Sequence, residues 1–356
     1  MTTAIQERPI TRELVHRPTV APQIDDRVKT WLLDQGAPPL FIEAVPGVLR
    51  TLESSIDWLK ANRKTLDNLL LDFGALVLRG FAFKTAEDFN QFTALYEPYS
   101  GGYVAGASPR STVVGNVMEA TRLDGRFLIW LHQEMAYLPN WPSHIAFFGR
   151  KVPEHGGATI IGDMREFTQR LPKDVREAME KHGVRGVRNY APLGEGAHVA
   201  RHVDDKGWED GFGTTDRAEV EGICASMGIK PIWNDNGSLT VVTVTDAFTA
   251  HPVTGERFYR SNLHTNGRTY AHFGDDGGNT DWDEARKRQA HHTGYTLGNG
   301  ESLTPEQATE IEDTVDSLIR RWQWQDGDIM LVDNLQVAHG RDPFVGDRET
   351  LVALFA

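Results

Sequence analysis

From Arg110 onward, apolar residues gather in short runs or alternate with polar ones, and each run is closed by Gly, Pro, Asn or Asp. The runs are STVVGNV, RFLIWLHQEMAYL, SHIAFFGRKVP, GATIIGD, SLTVVTV, RFYRSN, GDIMLVDN and ETLVALFA. Such patterning between turn residues predicts many short strands, and these imply a sandwich or barrel. Upstream the period lengthens. Asp25 to Gln35, stopped by Gly36, predicts one helix, and Leu52 to Phe73 a second, with Leu52, Ile56, Leu59, Leu66 and Leu70 at helical spacing before Gly74. Both should pack outside a sheet. ALVLRGF, residues 75–81, suits a strand, and TAEDFNQFTALYEP a capped helix beginning near Thr85. Helical insertions are predicted over Arg165 to Lys181, Thr215 to Met227 and Pro305 to Arg321.

The first residues mix charge with Pro9, Pro18 and Pro22 and have little periodicity, so 1–23 reads as an irregular lead-in of which no function is expected. Residues 24–356 then form a single β domain with helical decoration, and ETLVALFA is apolar enough to be a buried last strand. The 356 residues suffice for a sizeable core, and 40% hydrophobic with 24% charged residues is the balance of a soluble globular chain. No stretch approaches the roughly 18 apolar residues of a membrane span. Lys and Arg number 37 against 50 Asp and Glu, so the net charge of 37 − 50 = −13 would repel a phosphate backbone and speaks against nucleic acid as partner. Cys224 is the single cysteine, and the opening MTTAIQERP has charge where a signal peptide needs an apolar run; together these point to the cytoplasm.

Candidate chemistry lies in RFLIWLHQEMAYLP. If this stretch is extended, alternation puts His132 and Glu134 on one face and Gln133 on the other, so two ligating groups converge on one ion. A second histidine from a distant strand would complete the two-histidine, one-carboxylate set of non-haem Fe(II) oxygenases, with open positions for cosubstrate and dioxygen. His339, following the strand-like GDIMLVDN, is the candidate. Chance matters here: 13 histidines and 50 acids in 356 residues predict 13 × 50/356, or about 1.8, His-x-acid pairs, and the chain has two. The other, His202-Val203-Asp204, sits in a polar stretch without apolar flanks and reads as a solvated loop. Three further pieces supply context. In GGATIIGD two glycines open a strand and Thr159 can hydrogen-bond a carboxylate. Arg348, nine residues after His339, offers a planar fork for the far end of a dicarboxylate. Arg341 could face inward as a second carboxylate partner or cap the loop before Pro343.

LHQEMAYLPNWPSHIAFFG, GGATIIGDMREF and WQDGDIMLVDNLQVAHGRDPFVGDRETLVALF resemble the taurine dioxygenase and clavaminate synthase-like Fe(II)/2-oxoglutarate oxygenases. Within that superfamily the chain is most similar to the branch typified by the syringomycin-pathway aspartyl hydroxylase. The likeness runs from about Ala75 to the C-terminus. It implies a double-stranded β-helix of jelly-roll type, with iron bound by His132, Glu134 and His339 inside its open end. It further implies that Arg348 binds the distal carboxylate of 2-oxoglutarate with support from Thr159, leaving Arg341 as a competing anchor. A carboxylate among the ligands points away from the related halogenases.

The resemblance implies hydroxylation of an unactivated C–H of an amino acid, free or held as a thioester on a carrier protein, in natural-product biosynthesis. Dioxygen is consumed, and succinate and carbon dioxide are the co-products. Desaturation, epoxidation or cyclisation at the same iron is the alternative outcome, and a non-catalytic β-sandwich binding module the alternative class. Polar residues that could line the mouth are Asn116, Gln133, Asn262 and His264. An acidic carrier would need a basic dock, for which EARKRQAHH, residues 284–292, is the densest stretch; a solvated helix face is the other reading.

Overall fold

The computed structural model describes residues 17–102, 105, 111–120, 125–126, 128–195, 207–265 and 293–356. The strands are β1 (Val28–Leu32), β2 (Leu40–Ala44), β3 (Ala75–Arg79), β4 (Thr112–Val114), β5 (Val117–Glu119), β6 (Ile129–His132), β7 (His144–Lys151), β8 (His155–Gly156), β9 (Thr159–Asp163), β10 (Val184–Tyr190), β11 (Lys230–Trp233), β12 (Leu239–Thr245), β13 (Phe248–Ala250), β14 (Arg257–Tyr259), β15 (Thr293–Leu297), β16 (Ile329–Asp333), β17 (Val337–Arg341), β18 (Phe344–Val345) and β19 (Glu349–Phe355). The helices are α1 (Leu52–Ala61), α2 (Arg63–Phe73), α3 (Ala86–Thr93), α4 (Met164–Arg170), α5 (Lys173–His182), α6 (Trp208–Phe212), α7 (Arg217–Ser226) and α8 (Pro305–Ser317).

An eight-stranded sheet runs β1-β2-β3-β16-β7-β19-β5-β4, and its central strands are the chain's uninterrupted apolar runs. Burial on both faces explains them. One face, with Leu76, Leu78, Phe148, Ile329 and Leu351, packs under α1, α2 and α3 around Trp58, Phe73 and Phe89. The other, with Val77, Phe147, Met330, Val332 and Val352, meets Ile161 and Val337 of a three-stranded sheet ordered β6-β17-β9. This small sheet turns Leu131, Ile160 and Ala338 outward, into a third cluster with Met164, Phe167 and Val315 of α4 and α8. Two facing sheets with helices on the outside are the double-stranded β-helix expected. A four-stranded sheet, β11-β12-β10-β15, stands beside them. No helix among the described residues is long and apolar enough to cross a membrane.

Four local expectations need correction. Residues 25–35 hold a strand, not a helix: Trp31 pairs with Phe41 across the β1–β2 hairpin and stacks on it at 3.7 Å. So short a helix is marginal alone, and the hairpin covers the open edge of buried β2. The long helix over 52–73 divides at Asn62, whose amide and N–H both donate to the Trp58 carbonyl and end α1. The 165–181 helix divides before Lys173, where Leu171 and Pro172 take extended backbone. The strand over RFLIWLHQEMAYL stops at His132, and Glu134 lies in the turn that follows.

The lead-in is also tied down where it is described. Arg17 is buried and forks onto Asp163, the N-cap of α4, while its other N–H groups reach the Gln336 side chain and the Asp72 carbonyl.

Candidate active site

Alternation along three strands assembles the site. On β17, Ala338 faces out and His339 and Arg341 face in; on β9, Ile160 faces out and Thr159 faces in. Register makes His339 the cross-strand partner of His132, and Arg341 that of Thr159. Gly340 permits the close approach, since a Cβ there would lie 2.3 Å from the Ile129 carbonyl oxygen. The two imidazole centroids are 4.4 Å apart, with Phe147 of the opposite sheet 4.8 Å from His339.

Glu134 joins them from the turn. Its Oε2 lies 3.7 Å from His339 Nε2, and ligand atoms of His132, Glu134 and His339 all fall within 4.8 Å of one another. Met135, at φ 55°, sends the chain back after Glu134. Asn334 clamps the turn: its Oδ1 accepts the Glu134 N–H at 2.8 Å, and its Nδ2 donates to the carbonyls of Glu134 and Pro142, both at 2.9 Å. Arg260 donates to the carbonyls of Ala136 and Leu138 further along. His132 Nδ1 lies 2.8 Å from the Trp130 carbonyl. A carbonyl only accepts, so Nδ1 donates to it, which leaves Nε2 as the nitrogen available to a metal.

Two imidazoles and a carboxylate, His132 half-buried and Glu134 and His339 buried, make an N,N,O donor set that suits Fe(II). Thr159, His132, His339, Arg341 and Arg348 line one cavity, closed on the far side by Val352. Arg348 donates to the Gly157 carbonyl at 3.1 Å and to Thr159 Oγ1 at 3.3 Å, two neutral oxygens. Removal from water and repulsion from Arg341 press its pKa down to about 9. A guanidinium so placed gains from an anion beside it. The residues therefore fit both a metal and a carboxylate ligand. Gly156 and Gly157, at φ 73° and 68°, turn the chain into β9; a Cβ on Gly157 would sit 3.2 Å from Arg348 Cδ.

Of the residues expected at the mouth, Gln133, His264 and Asn116 are engaged with backbone carbonyls. Gln133, 1% exposed, points away from the cluster as alternation requires, and its Nε2 donates to the carbonyls of Tyr259 and Leu335. His264 is buried with Nε2 on the Leu131 carbonyl, bracing β6 next to His132. Asn262 is half-buried in the turn beside it. Asn116 donates to the Leu354 carbonyl, six residues and about 20 Å of extended strand beyond Arg348. His202 and residues 284–292 lie outside the described residues. Missed by the sequence reading were Asn334, Arg260 and Arg188. Arg188 alone left a signal, since it occupies the inward row Val184, Gly186, Arg188, Tyr190 of β10.

The model of the family described as "Taurine catabolism dioxygenase TauD, TfdA family" matches residues 38–354. A clavaminate synthase-like protein of Arabidopsis thaliana is 29% identical over 303 residues, 83% of this chain and 86% of its own. The dapdiamide synthesis protein DdaC of Enterobacter agglomerans is 25% identical over 311 residues, 85% of this chain and 88% of its own. PvcB of Pseudomonas aeruginosa matches in structure with a TM-score of 0.51 at 16% identity, over 94% of each chain, which is a likeness of fold.

Proposed function

This chain belongs to the TauD/TfdA dioxygenase family, and from that premise we propose that it hydroxylates an unactivated C–H bond of an amino acid, free or carried on a carrier protein, within a natural-product pathway. It is a non-haem iron and 2-oxoglutarate-dependent oxygenase, which sets the binding-module alternative aside. Two likenesses support the biosynthetic setting: DdaC is named for dapdiamide synthesis, and PvcB is described as an Fe, alpha-ketoglutarate dependent oxygenase from an isonitrile synthetic pathway.

In this reading His132, Glu134 and His339 hold the iron. Arg348 takes the distal carboxylate of 2-oxoglutarate, Thr159 orients that fork, and Arg341 adds positive charge from the neighbouring position on the same wall. When bound, iron and 2-oxoglutarate activate dioxygen, with succinate and carbon dioxide leaving and one oxygen atom passing to the substrate. The chain's share is positioning and exclusion of water. His132 is held in one tautomer by the Trp130 carbonyl, Glu134 is held by Asn334, and Phe147 and Val352 close the cavity with apolar surface.

The observation that carries the proposal is a largely buried two-histidine, one-carboxylate cluster whose histidines share a cavity with Arg348. The test is anaerobic visible absorption on adding Fe(II) and then 2-oxoglutarate, with His132→Ala as control. A weak charge-transfer band that needs protein, metal and cosubstrate, and is lost in the variant, is expected. Absence of the band, with iron bound no more tightly than by the variant, overturns the assignment. Product mass then separates outcomes: gain of one oxygen supports hydroxylation, and loss of two hydrogens supports desaturation or ring formation.

A further inference from the structure

Six of the described arginines are buried; Arg341 lines the metal cavity and Arg260 donates to the backbone carbonyls of Ala136 and Leu138. Arg17, Arg79 and Arg165 are each ion-paired, with Asp163, Asp328 and Glu256. Arg188 is different. It is 8% exposed, yet among the described residues its hydrogen-bond partners are the Ala105 carbonyl and the side chains of Tyr137 and Tyr190, none of them a carboxylate, and the Tyr137 ring lies 4.0 Å beneath the guanidinium. Tyr190 donates its hydroxyl to the same Ala105 carbonyl, so it does not neutralise the charge. A guanidinium has five N–H donors, and a buried charge is costly until it is paired. This chain has 50 acidic side chains from which to draw a partner, and none of those described is placed there.

The surroundings are those of a binding site. Arg188 lines a cavity with Tyr137, Thr243 and Tyr295, hydroxyl-bearing side chains suited to an oxyanion, and with Gly186. A Cβ on Gly186 would lie 2.9 Å from Thr243 Oγ1 and 3.2 Å from Tyr295 Cε1, so glycine keeps that wall open. Through Tyr137 the cavity also borders the turn that carries a metal-ligand candidate. Tyr137 belongs to the turn that presents Glu134, three residues away, and three residues span at most about 11 Å.

We infer that Arg188 anchors a carboxylate of the substrate, with the reactive carbon directed past Tyr137 toward the metal cluster. The inference rests on the proposed function and deepens it: the substrate bears a free carboxylate, which a free amino acid always has and an α-thioester on a carrier keeps only in an acidic side chain. A planar fork over an aromatic ring selects a carboxylate by geometry as well as charge. It also separates the two anions of the reaction, because Arg348 lies in the other cavity, against β9.

The test uses the full chain loaded with Mn(II) and N-oxalylglycine, which fill the metal and cosubstrate positions without turnover. Each common L-amino acid and its carboxamide is then titrated by calorimetry and thermal melting. At least one amino acid is expected to bind, its carboxamide at least tenfold more weakly. Arg188→Met should bind that amino acid at least tenfold more weakly and Arg188→Lys to an intermediate degree, while both hold Mn(II) and N-oxalylglycine as the parent does. Equal amino-acid affinity in parent and Arg188→Met overturns the inference. So does a protein that takes Mn(II) and N-oxalylglycine but binds no amino acid. Failure to take Mn(II) and N-oxalylglycine at all instead overturns the reading of the metal site, and this inference with it.

Discussion

Replacing Asn334 by Ala tests whether Glu134 is aimed by its surroundings. The side chain is 1% exposed and makes three hydrogen bonds, to the Glu134 N–H at 2.8 Å and to the carbonyls of Glu134 and Pro142 at 2.9 Å. Truncation leaves three buried backbone groups without those partners. At about 1–3 kcal/mol for each, reduced where water can enter, the loss of stability should be about 3–6 kcal/mol. That is a large part of the roughly 5–15 kcal/mol that folding leaves over, so the variant should remain folded in the cold but melt early. The second effect is on the metal. Freed of its clamp, the turn no longer holds the Glu134 carboxylate toward His339, and outer partners of metal ligands typically contribute about 10–100-fold in affinity. Urea unfolding of the metal-free protein measures the first effect, and competition for Fe(II) with a chromophoric chelator under nitrogen measures the second. Stability lowered as expected with metal affinity within twofold of the parent would refute the positioning argument. Unchanged stability would refute the accounting of buried backbone groups.

Other consequences are measurable. Arg348→Leu should raise the 2-oxoglutarate KM at least tenfold, and Thr159→Val by less, because Thr159 acts by orienting the guanidinium; steady-state succinate release against cosubstrate concentration checks both. Arg17→Ala leaves Asp163 buried without its main counter-charge and should cost about 3–5 kcal/mol in urea unfolding, whereas Asp163→Asn with Arg17→Met should cost much less. For Asp163 burial raises the pKa, but the charge and hydrogen bond of Arg17 outweigh it and hold the carboxyl below its usual value; Asp333 is likewise brought down by His251 against burial. A lowered folded-state pKa contributes stability above the unfolded value, about 3.9, which is lost as pH falls through the folded value. Melting temperature should therefore drop below about pH 4, and the drop should be shallower in Asp163→Asn.

What lay within a few residues could be read from the chain. The doubly buried strands announce themselves as apolar runs because each of their faces meets a core, and α3 by its Thr85 capping box with Asp88. His132 and His339 were legible because each stands beside an outward apolar residue, Leu131 and Ala338, so alternation alone turned them inward.

Tertiary structure decided what depends on partners far along the chain. Glu134 reaches the cluster from a turn, not by strand alternation, because Asn334, 200 residues away, holds its backbone. Arg17 is anchored by Asp163 across 146 residues, and β1 is a strand because β2 needs a neighbour. Of the inward arginines, which found a carboxylate and which did not was invisible in sequence, since a charge's partner is set by packing and not by spacing. The chain's local pattern determined the two sheets and most of the inward row. Long-range contacts, whose energy exists only once those sheets face each other, determined the aim of the ligands and left Arg188 facing a cavity.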